Sequence, residues 1–254
     1  MVMELTVVDA FTDRPFSGNP AAVAIVAEFP DSARMQAIAA EMALAETAFA
    51  VRRGADRYDL RWFTPTVEVD LCGHATLATT HIIGRAVRFE TRSGPLPTTI
   101  APGGLIELDC RGDIPERAEL PLTLGLEGVR WFGRGRFDFL AELPSAASVR
   151  SLVPDLSAIR SLDGRGLIVT AIGDRPGVAC VSRYFAPGVG IAEDPVTGSA
   201  HCTLGSFWAP RLGIRSLTGE QASPRGGTVH TRMAGDRVVI GGQAVTVSTV
   251  SLLV

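Results

Sequence analysis

Two hydrophobic periods alternate along this chain. Residues 4–9 (ELTVVD) are valine-rich and switch between apolar and polar positions, which predicts a strand. Residues 21–26, 46–52 (ETAFAVR), 58–63, 68–71, 87–90, 98–100 and 105–110 predict further strands. Residues 31–42 (DSARMQAIAAEM) open with an Asp-Ser cap and then place apolar residues at helical spacing. A second helix is predicted from Gly73 through HATLATTHIIGR. It is small and apolar on most faces, so it should be buried. Residues 11–20, full of Pro, Gly and Asn, predict a loop.

Residues 111–128, rich in Pro, Gly and charge, read as a linker, and beyond it the plan repeats. Strands are predicted within 129–140, at 166–172 and at 179–184, with a short helix at 151–156. A second buried helix starts at Gly198 (SAHCTLGSFWAPRLG), and the tail 227–254 reads as closing strands. Two segments share a motif: RWFTPTVEVDLCGHAT from Arg61 and RYFAPGVGIAEDPVTGSAH from Arg183. Arg61, Trp62, Phe63 and Pro65 match Arg183, Tyr184, Phe185 and Pro187, and Val67 and Val69 match Val189 and Ile191, at a constant offset. Three extra residues then bring Gly73-His74-Ala75 onto Gly198-Ser199-Ala200. Two copies are too few for a solenoid. A duplicated domain follows, with two similar halves facing each other across a cleft. The fold class expected is α+β: two pseudo-symmetric domains, each a curved, barrel-like sheet around one apolar helix. The first spans 1–115, joined by the strand 245–254, and the second 116–244.

The chain has 254 residues, 46% of them hydrophobic, a mean hydropathy of +0.23 and a net charge of −3. That is enough for two cores and offers no basic stripe, against nucleic acid or an anionic membrane as partner. No apolar run approaches the ~20 residues of a membrane span. MVMELTVVDAF has no positive region ahead of its apolar residues, unlike a signal peptide. Cys72, Cys110, Cys180 and Cys202 are widely spaced and form no disulfide or CxxC pattern, so a reduced, cytoplasmic protein is expected. All 24 basic residues are arginine. Without lysine there is no pyridoxal-phosphate Schiff base and no Walker-A lysine. No GxGxxG follows a strand, and His74, His81, His201 and His230 lack zinc-site spacing, so neither cofactor nor metal is expected.

Gly73 and Gly198 each open a helix after a loop. Such starts offer free backbone N–H groups to a carboxylate or an enolate-like intermediate, although each glycine also suits a tight turn. Glu46, set among Ala, Leu and Phe, is placed to act as an acid–base group, or else is a capping or surface residue. His74 is an oxyanion donor or a plain first-turn residue. Asp194 orients a partner or caps the helix, and Ser199 is a cap hydroxyl or a substrate donor. Asn19, the chain's one asparagine, is a turn residue or a substrate contact. Cys72 raises the option of a racemase, but the aligned loop of the second copy has no matching thiol.

VDAFTDRPFSGNPAAV, ALAETAF, FTPTVEVDLCGHATLA, EDPVTGSAH and EQASPRGGTV with GGQAV occur in the order found in the PhzF-like family, named for phenazine biosynthesis, which the chain resembles from end to end. The resemblance implies a fold similar to diaminopimelate epimerase, with the site between its halves. It puts the family's base on Glu46, its His on His74, its Asp on Asp194 and its Ser on Ser199. It implies a cofactor-independent isomerase, usually a homodimer, acting on a small carboxylate. In the phenazine enzyme that substrate is a dihydro-hydroxyanthranilate. Ala222 departs from the Gly common in that motif. The second thiol of the epimerase cousins falls on Pro195. A racemase using Cys72 and a dimeric small-molecule-binding protein without turnover remain the alternatives.

Overall fold

The computed structural model describes residues 2–253. The chain forms two compact units, one of residues up to Asp109 together with those from Gly241, the other Cys110–Ile240. The expected crossings lay at 115/116 and 244/245.

In the first unit β1 (Val2–Ala10) pairs antiparallel with β2 (Asn19–Val26). β2 runs parallel to β3 (Glu46–Arg52), and β3 antiparallel to β4 (Arg57–Phe63). β5 (Glu68–Val69) folds back on β4, and β6 (Arg88–Thr91) lies parallel to β4. β7 (Gly94–Ile100) and β8 (Ile106–Arg111) continue as hairpins. In the second unit β10 (Trp131–Arg134), β11 (Asp138–Glu142), β12 (Gly166–Ile172), β13 (Cys180–Phe185), β14 (Ser216–Gln221) and β15 (Gly227–Ala234) repeat that series. The alternation is the same: antiparallel, parallel, antiparallel, parallel, antiparallel. β16 (Arg237–Gly242) follows, and β17 (Ala244–Leu253) returns to the first unit to pair with β1. β9 (Glu116–Arg117) holds the matching place beside β10.

α2 (Gly73–Ile83) packs against β1, β2, β3 and β17, with residues 74–80 all buried. A helix so enclosed must satisfy its polar side chains internally. Thr76, Thr79 and Thr80 do so by donating to the carbonyls of Cys72, Ala75 and Thr76, at 2.5, 2.7 and 3.0 Å. α5 (Gly198–Leu212) is the counterpart, packed on β14 and β15, where Leu204, Phe207 and Trp208 fill the core. α1 (Ser32–Met42), capped by Asp31, covers the outer face of the first sheet through Met35, Ile38 and Ala39.

One ion pair marks the duplication. Arg61 Nε and Nη2 donate to the two oxygens of Glu68 at 2.7 and 2.8 Å. Arg183 does the same to Glu193 at 2.7 and 2.8 Å. Each guanidinium also lies over the phenylalanine two residues on, Phe63 or Phe185. These pairs put the three extra residues ahead of Glu193, in the 3-10 turn Pro187–Val189 and its exit. The sequence match of Val67 and Val69 to Val189 and Ile191 is therefore not a structural equivalence.

Two other expectations are corrected. The stretch 111–128 is not a linker. It holds β9 and a 3-10 turn, Leu122–Leu124, and its Leu124, Ala118, Leu120 and Leu126 pack into the second unit's core. Its Pro and Gly residues serve turns on a packed segment. The helix expected at 151–156 is instead two short helices, α3 (Ala146–Ser151) and α4 (Leu156–Arg160). They part where Pro154 disfavours a helical residue before it, and Asp155 caps α4 by accepting from the amides of Ser157 and Ala158.

Candidate active site

Glu46 owes its place to a break in the chain. α1 ends at Ala43 in the left-handed conformation (φ 51°), and Glu46 is the first residue of β3 three positions later. Its side chain is 13% exposed, and its Oε2 lies 3.0 Å from Nε2 of His74, in the first turn of α2. That oxygen sits off the ring's N–H direction, so the contact is an ion pair rather than an aligned hydrogen bond. On the other side of the ring, Nδ1 lies 3.6 Å from the thiol of Cys72, the residue that opens α2. One donor atom from each of Glu46, Cys72 and His74 falls within 4.8 Å of the others.

The electrostatics follow from burial and neighbours. Burial, then the charge of Glu46, push the Cys72 thiol up, so it stays protonated at neutral pH. Burial alone would lower His74, yet Cys72 and Glu46 outweigh it and hold the imidazole well above its ordinary value. Glu46, 3.0 Å from Nε2, is one of the two groups that hold His74 above its ordinary value. The structure thus gathers two of the acid–base candidates, Glu46 and His74, with Cys72, at the α2 start where Gly73 is the first residue. The Cys72 side chain makes no aligned cap bond to that first turn, and only the Ala75 amide lies near its sulfur, so the start retains amides such as that of Gly73 for an anion. Asn19 is fully buried at the head of β2, where it pairs with Ala10.

The second unit builds the same start differently. Thr197, not Pro195, holds the place of Cys72, because it is the residue that precedes the helix-opening glycine, and its hydroxyl donates to Asp194 at 2.5 Å. Its backbone N–H donates to Oε1 of the buried Gln221 at 2.8 Å, whose Nε2 donates to the Asp194 carbonyl at 2.7 Å. Ser199, the counterpart of His74, accepts from Arg165 at 2.9 Å. Asp138 accepts from both Nε and Nη2 of that guanidinium, at 3.1 and 2.5 Å, and from the Tyr184 hydroxyl at 2.8 Å. Burial opposes the charge on Arg165, but the buried Asp138 carboxylate outweighs it and keeps the guanidinium firmly protonated. Burial and the same carboxylate push the Tyr184 phenol up.

Sequence reasoning missed Asp138, Arg165 and Gln221. Gln221 had a signal, since it lies in EQASPRGGTV; Asp138 and Arg165 had none, because they converge on Ser199 from separate hairpins. It also weighed metal ligands by local spacing. Glu46, Cys72 and His74 meet through the fold, across the β3 start and the α2 start.

The phenazine biosynthesis-like family model matches residues 8–119 and 126–250. The chain belongs to the PhzF-like family. It is 44% identical over 266 residues to an uncharacterized isomerase of Halalkalibacterium halodurans, covering 100% of this chain and 99% of that one. The crystal structure of a PhzF-family protein from Enterococcus faecalis superposes with a TM-score of 0.94 at 40% identity, covering all of both chains. A hydroxyproline epimerase of Agrobacterium vitis, solved with trans-4-hydroxy-L-proline, matches at TM-score 0.65 and 13% identity over 99% of this chain and 92% of that one, a likeness of fold. The α+β fold of the diaminopimelate epimerase type, expected from the duplication and the resemblance, is the fold found.

Proposed function

We propose that this PhzF-like protein is a cofactor-independent isomerase that moves a proton on a small carboxylate, with Glu46 as its single base and then its acid. The observation that carries the reading is the partly accessible Glu46 carboxylate held 3.0 Å from a buried imidazolium at the start of α2. His74 faces that carboxylate as a cation, and the carboxylate is placed to accept a proton. Once Glu46 has taken it, the cation loses its anionic partner as negative charge appears on the substrate. His74 then stabilises the enolate-like intermediate more than the substrate, which is the condition for catalysis. The proton on the partly accessible Glu46 exchanges with solvent, and Glu46 delivers a proton to the face from which it took one, so the shift is suprafacial and carries solvent hydrogen. The Gly73 amide binds the substrate carboxylate, and Asn19 supports the loop that borders it.

Asp194, Gly198 and Ser199 form the matching helix start of the second unit, which offers its own N–H and hydroxyl groups to a carboxylate. The protein works in the cytoplasm as a homodimer. Turnover of dihydro-hydroxyanthranilate, and then of a panel of small carboxylic acids, in deuterated water tests the reading. Deuterium should enter the product of the wild type and fail to enter with Glu46→Gln. Equal incorporation by both would remove Glu46 as the base.

A second reading, a racemase using Cys72, draws on the 3.6 Å approach of that thiol to His74. It needs a thiolate, which burial disfavours, and a Cys72→Ser variant with wild-type turnover removes it.

A further inference from the structure

The donors around His74 are of three kinds: a carboxylate oxygen from Glu46, a sulfur from Cys72 and an imidazole nitrogen. Glu46 Oε2 lies 3.0 Å from Nε2 and the Cys72 sulfur 3.6 Å from Nδ1, on the other side of the ring, so for an ion held by one ring nitrogen the widest ligand edge is the one bounded at 4.8 Å. A tetrahedral zinc ion with bonds of about 2.0–2.3 Å has ligand edges of about 3.3–3.8 Å. Side-chain torsions of about an ångström would therefore close the triangle on an ion. Independently, His74 Nε2 is buried in no aligned hydrogen bond, while its side chain is only 7% exposed. Its neighbour there is the Glu46 carboxylate in an off-axis ion pair, whereas an ion would be met along the nitrogen's own axis. Oxygen, nitrogen and sulfur together suit zinc-like ions and not magnesium or calcium.

We propose that Glu46, Cys72 and His74 form a binding site for a thiophilic divalent cation of the zinc class, and that the bound ion silences the Glu46 base. The Cys72 thiol and the His74 Nε2–H each release a proton to buffer as the metal bonds form. Water takes the fourth position, and nothing is oxidised or reduced. The silencing half rests on the reading of Glu46 as the base; the binding half does not.

The test separates the two. The whole protein is titrated with Co²⁺ under argon, and the thiolate-to-cobalt charge-transfer absorption is followed in the near ultraviolet. The expected result is a band saturating at one ion per chain, erased by Zn²⁺ but not by Mg²⁺. Cys72→Ser should lose the band, with affinity at least about 100-fold weaker, since changing even an outer-shell partner costs about 10–100-fold. Cys110 and Cys202 form the other thiol pair, hydrogen-bonded to each other, so Cys202→Ala should keep the band. No band in the wild type, or a band that survives Cys72→Ser, overturns the site. Should Cys72→Ser fail to fold, ¹¹³Cd NMR of the wild type decides instead: a shift for one sulfur ligand supports the site, and one for none or two overturns it. With binding established, turnover that Zn²⁺ leaves intact overturns the silencing.

Discussion

The two helix starts, Cys72-Gly73-His74 and Thr197-Gly198-Ser199, share a backbone and differ in chemistry. Both open with a glycine after an extended cap residue, both follow an Arg–Glu pair of the same geometry, and both lead a buried helix. At the first, the side chains are a carboxylate, an imidazole and a thiol clustered within 4.8 Å. At the second, they are hydroxyls and amides tied down by Asp194, Gln221 and Arg165. The two starts share a scaffold, while carboxylate, imidazole and thiol gather at one of them alone. A pair of bases on opposite faces suits racemisation; one base beside one cation suits a proton moved and returned on a single face.

Several perturbations would break or sharpen that contrast. The largest effect is expected from Asp138→Ala. It strips the buried partner of Arg165 and Tyr184; because the Arg165 side chain is itself 35% exposed, the cost falls toward the lower end of the about 3–5 kcal/mol of a wholly buried pair. Urea denaturation should show that loss, and a change below about 1 kcal/mol would mean that the α5 start is not held by this network. Acidification comes next. Burial pushes His201, on α5, down to about 4. Its neutral form donates Nδ1–H to the Thr197 carbonyl at 2.9 Å. The unfolded chain binds that proton from about pH 6.5 downward while the folded one resists until about 4. The His201 contribution should therefore be full above pH 6.5 and fall by up to about 3 kcal/mol as pH drops to 4. Glu68, held below its usual range by Arg61, adds a loss of the same sign at lower pH. Denaturation midpoints flat between pH 7 and 4 would contradict this. Gly219→Ala follows, because a Cβ there would stand 3.0 Å from the His201 ring, and overpacking should cost about 1–3 kcal/mol. Ser199→Ala should be mildest, lowering turnover by less than about tenfold, well short of the loss expected for a general base.

Much of the scaffold was legible in the sequence because period-2 and period-3.6 patterns are local. β3 and the starts of α2 and α5 fall where the pattern puts them. The α3–α4 break was legible in Pro154 and the Asp155 cap but was read as one helix, while the packed 111–128 segment was misread because tertiary burial, not local composition, decides it. β14 (SLTGEQ), which carries Gln221, went unread because its Gly219 serves the His201 ring rather than a turn. At the candidate site the family motifs reached Glu46 and His74, the residues that touch. The clamp of Asp138, Arg165 and Tyr184 was invisible because its members sit on three strands or their loops and meet in space alone.

The central claim is that one carboxylate, Glu46, carries the proton. Its most direct test is turnover of dihydro-hydroxyanthranilate and the carboxylic-acid panel in deuterated water, wild type beside Glu46→Gln, with circular dichroism confirming that both are folded. The account predicts deuterium in the product of the wild type and a rate at least about 100-fold lower in the variant. A folded Glu46→Gln protein that exchanged the proton at the wild-type rate would contradict it.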